Sequence, residues 1–280
     1  MKKYFAAILA GVILSSLAGT VSAHTDGISY GDVPMAEAGS ITIDGEFNEA
    51  EWKGALAITC DNLLMGDATN TTRGTAYLKW DADNLYVYFD VQDKDVAEVI
   101  SGYQDWYMWN VDSVEIMLDF TNEASQDLFQ YRVDYTDWAS VQANNPATES
   151  YIGEDATTYI GAHVAKMTDT GYAVEMRIDA KSRGFTLTEG MQIGFFANIN
   201  EMITAEDGTQ WACVANWSPA TSLGTGVWTP EKYDYITLAA APVEEPDDTP
   251  SDTPITADAG IVAAAAVMAI AAGVVLSKKH

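Results

Sequence analysis

The chain has 280 residues, of which 41 are acidic and 14 basic, and its formal net charge at pH 7 is −27. A chain with this much negative charge repels phosphate backbones, which excludes nucleic acid as a partner. The two cysteines, Cys60 and Cys213, show no zinc-type spacing, and a histidine-dependent mechanism would rest on one internal histidine, His163.

Residues 1–23 predict a secretory signal peptide. Two lysines give the positive start, a mostly apolar run follows, and Val-Ser-Ala at residues 21–23 has the small-residue pattern of a cleavage site. The mature protein is therefore expected outside the cytoplasm. In that compartment Cys60 and Cys213 could form one disulfide, although two cysteines far apart in sequence do not establish it.

The other end of the chain predicts an anchor. Residues 259–280 contain a long uncharged, mostly apolar stretch that ends in a basic tail. Such a stretch suffices for a C-terminal transmembrane helix whose basic end stays in the cytoplasm. Residues 242–258, just before it, are rich in proline and acid, as in an extended linker. We expect one exported domain, residues 24–241, held on a stalk.

Short stretches of alternating apolar and polar residues run through this domain. From Val114 to Phe120 every second residue is apolar, which is the period of a strand with one face in a core. Similar patterns predict strands over residues 40–45, 57–63, 75–80, 85–91, 129–135, 171–179, 192–200 and 235–238. Helical periodicity is nearly absent between the two ends, so we predict an all-β fold, an antiparallel, jelly-roll-like β-sandwich.

Three of these strands carry polar side chains on the face turned away from the core. Glu115 lies on one strand, Arg132 and Asp134 on the next, and Asn198 on a third. If the three strands belong to one sheet, the four side chains converge on its outer surface, towards solvent. Carboxylate and amide groups exchange hydrogen bonds with sugar hydroxyls, and the arginine fork suits vicinal oxygens. The pattern therefore favours a sugar-binding surface.

Two tryptophans lie in loops beside predicted strands. Trp109 comes just before the strand of Glu115, and Trp228 lies in the glycine-rich segment GTGVWTPEKY. A tryptophan in such a loop has few neighbours to bury it, and an exposed ring stacks on the apolar C–H face of a pyranose. The two rings could clamp one sugar, although Trp109 could equally be a core residue beside a solvated glutamate. Trp52, in contrast, is expected to cap the core.

Seven segments, taken in order, resemble the family 9 carbohydrate-binding modules over nearly the whole domain. They are ITIDGEFNEAEW, LKWDADNLYVYFDVQD, WNVDSVEIMLD, QYRVDY, GYAVEMRIDA, IGFFANINE and WTPEKYDYITL. This family is a β-sandwich that binds the ends of glucans and xylans between two tryptophans, with calcium as a structural ion. The resemblance implies non-catalytic carbohydrate binding by Trp109, Glu115, Arg132, Asp134, Asn198 and Trp228. Asp134 and Asn198 stand where the best-known sugar binders have asparagine and glutamine, which bears on sugar identity and affinity.

A structural calcium ion, which the resemblance implies, needs oxygen ligands. Asp93 and Asp112 lie at predicted strand ends near the site loop, where carboxylates and backbone carbonyls can surround a hard cation. We therefore expect Asp93 and Asp112 among the calcium ligands, with many other acids as alternatives.

The C-terminus also resembles a sortase signal of Gram-positive bacteria. Thr253-Pro254-Ile255-Thr256-Ala257 precedes the apolar stretch, with Thr253 and Ala257 in place of the usual leucine and glycine. A plain membrane anchor is the alternative. Either attachment predicts an extracellular, monomeric domain tethered to the membrane or cell wall.

The leading hypothesis is a non-catalytic cell-surface module that binds chain ends or small oligosaccharides of plant-type polysaccharides. Such a module would support carbohydrate catabolism. The alternative is a glycoside hydrolase, which needs two carboxylates roughly 5–10 Å apart, such as Glu115 and Asp134. Arg132 nearby favours ionised acids, which disfavours a general acid. A haem domain of similar fold ranks last, since His163 is the only internal histidine and no C-x-x-C-H motif occurs.

Overall fold

Two β-sheets face each other across one apolar core, as the alternating pattern predicted. The structure, a computed structural model, describes residues 27–66, 72–94, 96, 111–123, 128–144, 150–152, 160–204, 210–216 and 233–241. The helices with both ends inside these residues are a single turn at Glu49–Trp52 (α1) and a 3-10 turn at Lys181–Arg183. The all-β prediction is therefore confirmed.

The described residues form fourteen strands, numbered here in chain order. They are β1 (Ser29–Pro34), β2 (Leu56–Cys60), β3 (Asn62–Met65), β4 (Arg73–Trp80), β5 (Asn84–Gln92), β6 (Ser113–Asp119), β7 (Leu128–Asp134), β8 (Ala139–Asn144), β9 (Ser150–Ile152), β10 (Ala162–Met167), β11 (Gly171–Asp179), β12 (Gln192–Thr204), β13 (Gln210–Asn216) and β14 (Asp234–Ala239).

Nine of these strands make one sheet, in the order β1-β14-β12-β6-β7-β8-β9, with β13 paired to β12 and β3 paired to β13. The other five form a second sheet in the order β10-β11-β5-β4-β2. All the pairings are antiparallel except β1 with β14, which run parallel. The functionally important consequence is that β6 lies between β7 and β12, so the three strands predicted to carry polar groups are neighbours.

The core is filled by the inward rows that the alternation predicted. Val114, Ile116 and Leu118 on β6 are completely buried and belong to the same apolar cluster as the inward residues of β5 in the opposite sheet. The matching inward residues of β5, β11 and β12 are likewise buried: Leu85, Val87, Phe89, Val91, Tyr172, Val174, Met176, Ile178, Ile193, Phe195, Ala197 and Ile199. Burying these side chains is the main stabilising contribution to the fold.

Two predictions about the N-terminal half need correction. Residues 40–45 form no strand, because the backbone N–H groups of Asp44 and Gly45 both donate to Oε2 of Glu175, at 2.8 Å each, rather than to a neighbouring strand. Residues 57–63 do not form one strand either. Their chain leaves the five-stranded sheet at Cys60 and enters the nine-stranded sheet at Asn62.

Trp52 is buried, as predicted, but it does not lie in the core between the sheets. It packs with Tyr86 and Tyr88 on the outer face of the five-stranded sheet, and its Nε1 donates to Oε1 of Glu175 at 3.2 Å. Burial raises the pKa of Glu175, while three hydrogen bonds to its carboxylate oppose that shift. The buried carboxylate of Glu175 thus holds the segment around Trp52 against the outer face of the five-stranded sheet.

Cys60 and Cys213 are both buried free thiols, so the disulfide left open by the sequence is not formed. The predicted signal peptide (1–23), the predicted linker (242–258) and the predicted anchor (259–280) lie outside the described residues. In the described part of the chain, no helix has the length and apolar character needed to cross a membrane.

Candidate functional site

The strand register aligns three of the predicted polar residues in one row. Glu115 on β6 is the cross-strand partner of Arg132 on β7 and of Asn198 on β12. Because directly opposed side chains in a sheet project to the same face, all three stand on the outer face of the nine-stranded sheet. The predicted convergence of Glu115, Arg132 and Asn198 is therefore confirmed.

A fourth residue, Gln130, completes a hydrogen-bonded row, which we call the outer polar row (Gln130, Arg132, Glu115 and Asn198). Oε1 of Glu115 lies 2.7 Å from Nε of Arg132, and its Oε2 accepts hydrogen bonds from Asn198 Nδ2 (3.0 Å) and Gln130 Nε2 (3.2 Å). Nη2 of Arg132 donates to Oε1 of Gln130 at 2.5 Å. The Glu115 carboxylate is thus engaged on both oxygens. Sequence reasoning missed Gln130, although it shares the outward period of Arg132.

The outer polar row is buried, whereas the sequence analysis expected it to be open to solvent. Glu115 is 2 % exposed, Arg132 6 % and Asn198 2 %. A buried charge is tolerated when it is paired and hydrogen-bonded, and the Glu115–Arg132 pair meets that condition. Oδ1 of Asn198 and Oδ1 of Asn200 are buried acceptors with no hydrogen-bond partner among the described residues. These two amide oxygens have unused capacity to accept a hydrogen bond.

Asp134 lies on the same outer face, two residues after Arg132 on β7, and it is the cross-strand partner of Ser113. Its Oδ1 accepts hydrogen bonds from the N–H (2.8 Å) and hydroxyl (2.6 Å) of Thr136 and from the N–H of Trp138 (3.0 Å). Burial raises the pKa of Asp134 and outweighs these hydrogen bonds. Oδ1 of Asp134 shapes the turn between β7 and β8.

An apolar cluster lies next to the outer polar row on the same face. Met117 is the cross-strand partner of both Gln130 and Phe196, and it packs with Leu128 and Tyr233. The rings of Phe196 and Tyr233 stack, with their centroids 6.0 Å apart. The outer face therefore has a charged, hydrogen-bonding half and an apolar half. Such a combination suits an amphipathic ligand such as a sugar.

Three acids meet at one end of the core and form what we call the interior acid cluster: Asp93, Asp112 and Glu201. A ligand atom of each lies within 4.8 Å of the others, and all three side chains are buried. Asp93 comes two residues after the core residue Val91, and Asp112 comes two residues before the core residue Val114. By the alternation of a strand, both acids therefore lie on the inward side. The structure thus brings the predicted pair together. Glu201 was missed, although it extends the inward period of β12 by one more step.

The carboxylates of the cluster are close enough to shift one another's pKa. Burial, and after it the neighbouring Asp112 carboxylate, raises the pKa of Glu201 to about 9. Oε2 of Glu201 accepts a hydrogen bond from the Thr72 hydroxyl at 2.6 Å, and Oδ1 of Asp112 accepts one from the N–H of Met202 at 2.7 Å. Buried acids in such a position take up a proton or hold a cation, and a purely oxygen ligand set fits calcium.

The internal histidine, which the sequence left without a partner, has one. Nδ1 of His163 lies 2.9 Å from Oδ1 of Asp137, which also accepts a hydrogen bond from the N–H of Ala165 at 2.9 Å. Asp137 belongs to the turn after β7, and His163 and Ala165 belong to β10. The contact ties the edge of one sheet to a turn of the other, which agrees with the structural role expected for this histidine.

A family model described as "Carbohydrate family 9 binding domain-like" matches residues 43–238. The chain belongs to this family. The matched range contains every residue of the outer polar row and of the interior acid cluster. No match was found among curated proteins.

Solved structures agree with the fold of this family 9 domain. A family 9 module from Caldicellulosiruptor kristjanssonii in complex with cellotriose is 23 % identical with a TM-score of 0.57, over 77 % of this chain and 94 % of that one. A second family 9 structure from that organism, in complex with glucose, is 23 % identical with a TM-score of 0.56, over 77 % and 99 %. A protein from Bacteroides uniformis is 11 % identical with a TM-score of 0.60, over 76 % and 99 %.

The described residues of the family 9 domain include six of the eight side chains that the sequence singled out. Glu115, Arg132 and Asn198 lie in one row, with Asp134 one step away, and Asp93 and Asp112 lie in the interior acid cluster. Trp109 and Trp228 lie outside the described residues, so the stacking role of the two tryptophans stays a prediction.

Proposed function

We propose that this family 9 domain binds the end of a gluco- or xylo-oligosaccharide on the outer face of its nine-stranded sheet, and does so without chemistry. The observation that carries the proposal is the outer polar row, in which an ion pair and two amides are held in line by hydrogen bonds. Groups fixed before the ligand arrives lose little conformational entropy on binding.

The free hydrogen-bonding capacity of the row matches sugar hydroxyls. Oδ1 of Asn198 and Oδ1 of Asn200 accept nothing from the described residues, and each buried acceptor left unpaired costs about 1–3 kcal/mol. A hydroxyl that donates to either oxygen removes that cost. The neighbouring Arg132 guanidinium supplies donors for the same sugar. Trp109 and Trp228 are proposed to stack on the two faces of the ring.

The geometry favours binding over glycoside hydrolysis. A hydrolase needs one protonated and one free carboxylate flanking the scissile bond. Both oxygens of Glu115 are engaged by Arg132, Gln130 and Asn198. Oδ1 of Asp134 accepts three hydrogen bonds from its own turn. These contacts disfavour Glu115 as a nucleophile, and they give Oδ1 of Asp134 a structural role in its turn.

We also propose that the interior acid cluster holds a structural calcium ion, with Asp93, Asp112 and Glu201 as its acidic ligands. The fit rests on the donor set, which is three buried carboxylates that share one small space. When bound, the ion would neutralise charge on these carboxylates. Its position between the sheets keeps it off the outer face.

Surface display completes the proposal. The signal-like N-terminus, the proline-rich acidic linker and the apolar C-terminus of the sequence support a domain tethered outside a bacterial cell, by membrane or cell wall. Protease treatment of intact cells should release the domain, while a cytoplasmic marker stays protected. Retention of the domain after such treatment would contradict the tether.

Calorimetric titration of the full chain with glucose, cellotriose and xylotriose tests the binding proposal. We expect dissociation constants between about 1 μM and 1 mM, that is, about −8 to −4 kcal/mol. Prolonged incubation should release no reducing sugar from cello- or xylo-oligosaccharides. Absence of heat for all three sugars would overturn the binding proposal, and release of reducing sugar would overturn its non-catalytic character.

A further inference from the structure

The interior acid cluster and the outer sugar face share two strands. Asp112 points inward at the start of β6, and the next residue, Ser113, points outward. On β12, Asn200 points outward and the next residue, Glu201, points inward. Successive residues of a strand are only about 3.3 Å apart along its axis, so each acid is attached directly to a residue of the outer face.

Ser113 and Asn200 form the last cross-strand pair between β6 and β12. Nδ2 of Asn200 donates to Oγ of Ser113 at 3.1 Å, and both side chains are buried. The next pair along the ladder is Glu115 with Asn198, which belongs to the outer polar row. The alignment of β6 and β12 at the Ser113–Asn200 pair therefore determines the position of Glu115 relative to Asn198 in the outer polar row.

That alignment is held from the inside by an acid of the cluster. Beyond the Ser113–Asn200 pair, the N–H of Met202 donates to Oδ1 of Asp112 at 2.7 Å. The Asp112 carboxylate thus bridges β6 to β12 past the end of their backbone pairing. Repulsion among Asp93, Asp112 and Glu201 acts on the same carboxylate, and so on the separation of the two strands.

A buried tyrosine gives an independent indication that the cluster takes a ligand. Tyr172 lies on β11 in the opposite sheet, where it pairs with Val91, two residues before Asp93 on the same inward face. It is completely buried, and its hydroxyl has no hydrogen-bond partner in the described part of the chain. Burial raises its pKa, and the nearby carboxylates of Asp112 and Asp93 raise it further. Its pairing with Val91 places this unpartnered hydroxyl at the end of the core where Asp93 lies.

A surface cavity lies beside one member of the cluster. Asp93 lines it together with Gln92, Lys94, Asp169 and Thr170, among the described residues, and its volume is about 560 Å³.

We propose that a divalent cation held by Asp93, Asp112 and Glu201 aligns β6 with β12, so that sugar affinity at the outer polar row depends on a cation that never touches the sugar. This inference rests on the proposed function. The cation neutralises the acids, holds the Asp112 bridge closed and keeps Asn200 and Asn198 in register with Ser113 and Glu115. By thermodynamic linkage, bound sugar raises cation affinity by the same factor.

The experiment titrates the full chain with cellotriose in excess Ca²⁺ and in chelator, and follows the side-chain amide signals of Asn198, Asn200 and Gln130 by NMR. Chelation is expected to weaken cellotriose binding by about 10-fold, within the usual range of coupling between sites. The three amide signals should shift when Ca²⁺ is added, even without sugar. E201Q should bind cellotriose with an affinity that no longer responds to Ca²⁺, whereas the exposed control E189Q should behave like the parent.

The outcomes separate the inference from the function it rests on. If Ca²⁺ shifts the amide signals but cellotriose, glucose and xylotriose all fail to bind, the proposed function falls, while the cation's control of the outer row stands. Cellotriose affinity that is equal in Ca²⁺ and in chelator overturns the inference and leaves the binding proposal intact. Amide signals that do not respond to Ca²⁺ overturn it too, as does an E201Q that keeps the full Ca²⁺ response.

Discussion

The outer polar row and the interior acid cluster are both built from buried charged groups, yet their electrostatics are opposite. In the outer row, Glu115 has Arg132 at 2.7 Å and two amide donors besides. In the interior cluster, three carboxylates share one small space. The charge of Glu115 is therefore paired within the row, whereas in the cluster the neighbouring Asp112 carboxylate raises the pKa of Glu201.

The degree of burial alone thus does not indicate the role of a charged side chain. Glu115 and Glu201 are equally buried, at 2 % exposure each, and lie on opposite faces of two paired strands. The difference comes from the nearest charged group, which is the Arg132 guanidinium for Glu115 and the Asp112 carboxylate for Glu201. The predictions below test this contrast, starting with the largest expected effect.

Removing the arginine should turn the outer row into an unbalanced site. Arg132→Met leaves the Glu115 carboxylate buried without its counter-charge, so we expect a loss of about 3–5 kcal/mol in the free energy of unfolding, measured in urea. Adding Glu115→Gln to Arg132→Met should restore most of that loss, since the buried charge is then gone. Arg177→Met, a half-buried arginine on the other sheet, is the matched control. A full-size loss in that control, or none for Arg132→Met, would contradict the contrast.

Removing the cation should destabilise the protein through the interior cluster. At free calcium 100 times above the dissociation constant, the bound ion contributes about 2.7 kcal/mol to stability, and chelator should lower Tm accordingly. Asp93→Asn should melt at nearly the same temperature with and without calcium. An unchanged melting curve of the parent protein in chelator would contradict the proposed calcium site.

The two loop tryptophans should affect binding and leave both clusters intact. Trp109→Ala and Trp228→Ala should each weaken cellotriose binding by about 1.5–3 kcal/mol, because a stacked ring removes apolar C–H surface from water. Their unfolding free energies should stay near that of the parent. Trp52→Ala, which empties a buried position beside Tyr88, should instead cost roughly 3–5 kcal/mol of stability. Equal stability losses in all three variants would place Trp109 and Trp228 in the core.

Proton uptake should reveal the interior cluster when the cation is absent. The pKa of Glu201 is raised from an ordinary 4.5 to about 9, so its contribution to stability is fully present below pH 4.5 and is lost as the pH rises towards 9. In chelator, Tm of the parent should therefore fall relative to Glu201→Gln between pH 5 and pH 9, by roughly 2–4 °C for each kcal/mol. Parallel Tm curves for the two proteins would show that Glu201 does not take up this proton.

The sequence was sufficient where side-chain alternation alone decides the outcome. The period of two assigned Glu115, Arg132 and Asn198 to outer faces and filled the core with the correct rows. It also placed Asp93 and Asp112 at strand ends, where the structure has them. Whether those faces meet depends on which strands are neighbours, and that order follows from long-range packing rather than from any local pattern.

The errors have the same origin. Gln130 and Glu201 were missed because their roles appear only once β6 lies between β7 and β12. Residues 40–45 have the alternation of a strand, but the distant Glu175 carboxylate takes up two of their N–H groups. The expected exposure of Glu115 was also wrong, because its partners lie 15 and 83 residues away in the chain.

The central claim is that sugar binds on the outer polar row, and NMR titration of the full chain with cellotriose tests it most directly. We expect the side-chain amide signals of Asn198 and Gln130 to shift in a saturable manner, with a dissociation constant between about 1 μM and 1 mM. The indole signal of Trp52, which bonds Glu175 on the opposite sheet, should not move. Saturable shifts at Trp52 with none at Asn198 and Gln130, or no saturable shift anywhere, would contradict the claim.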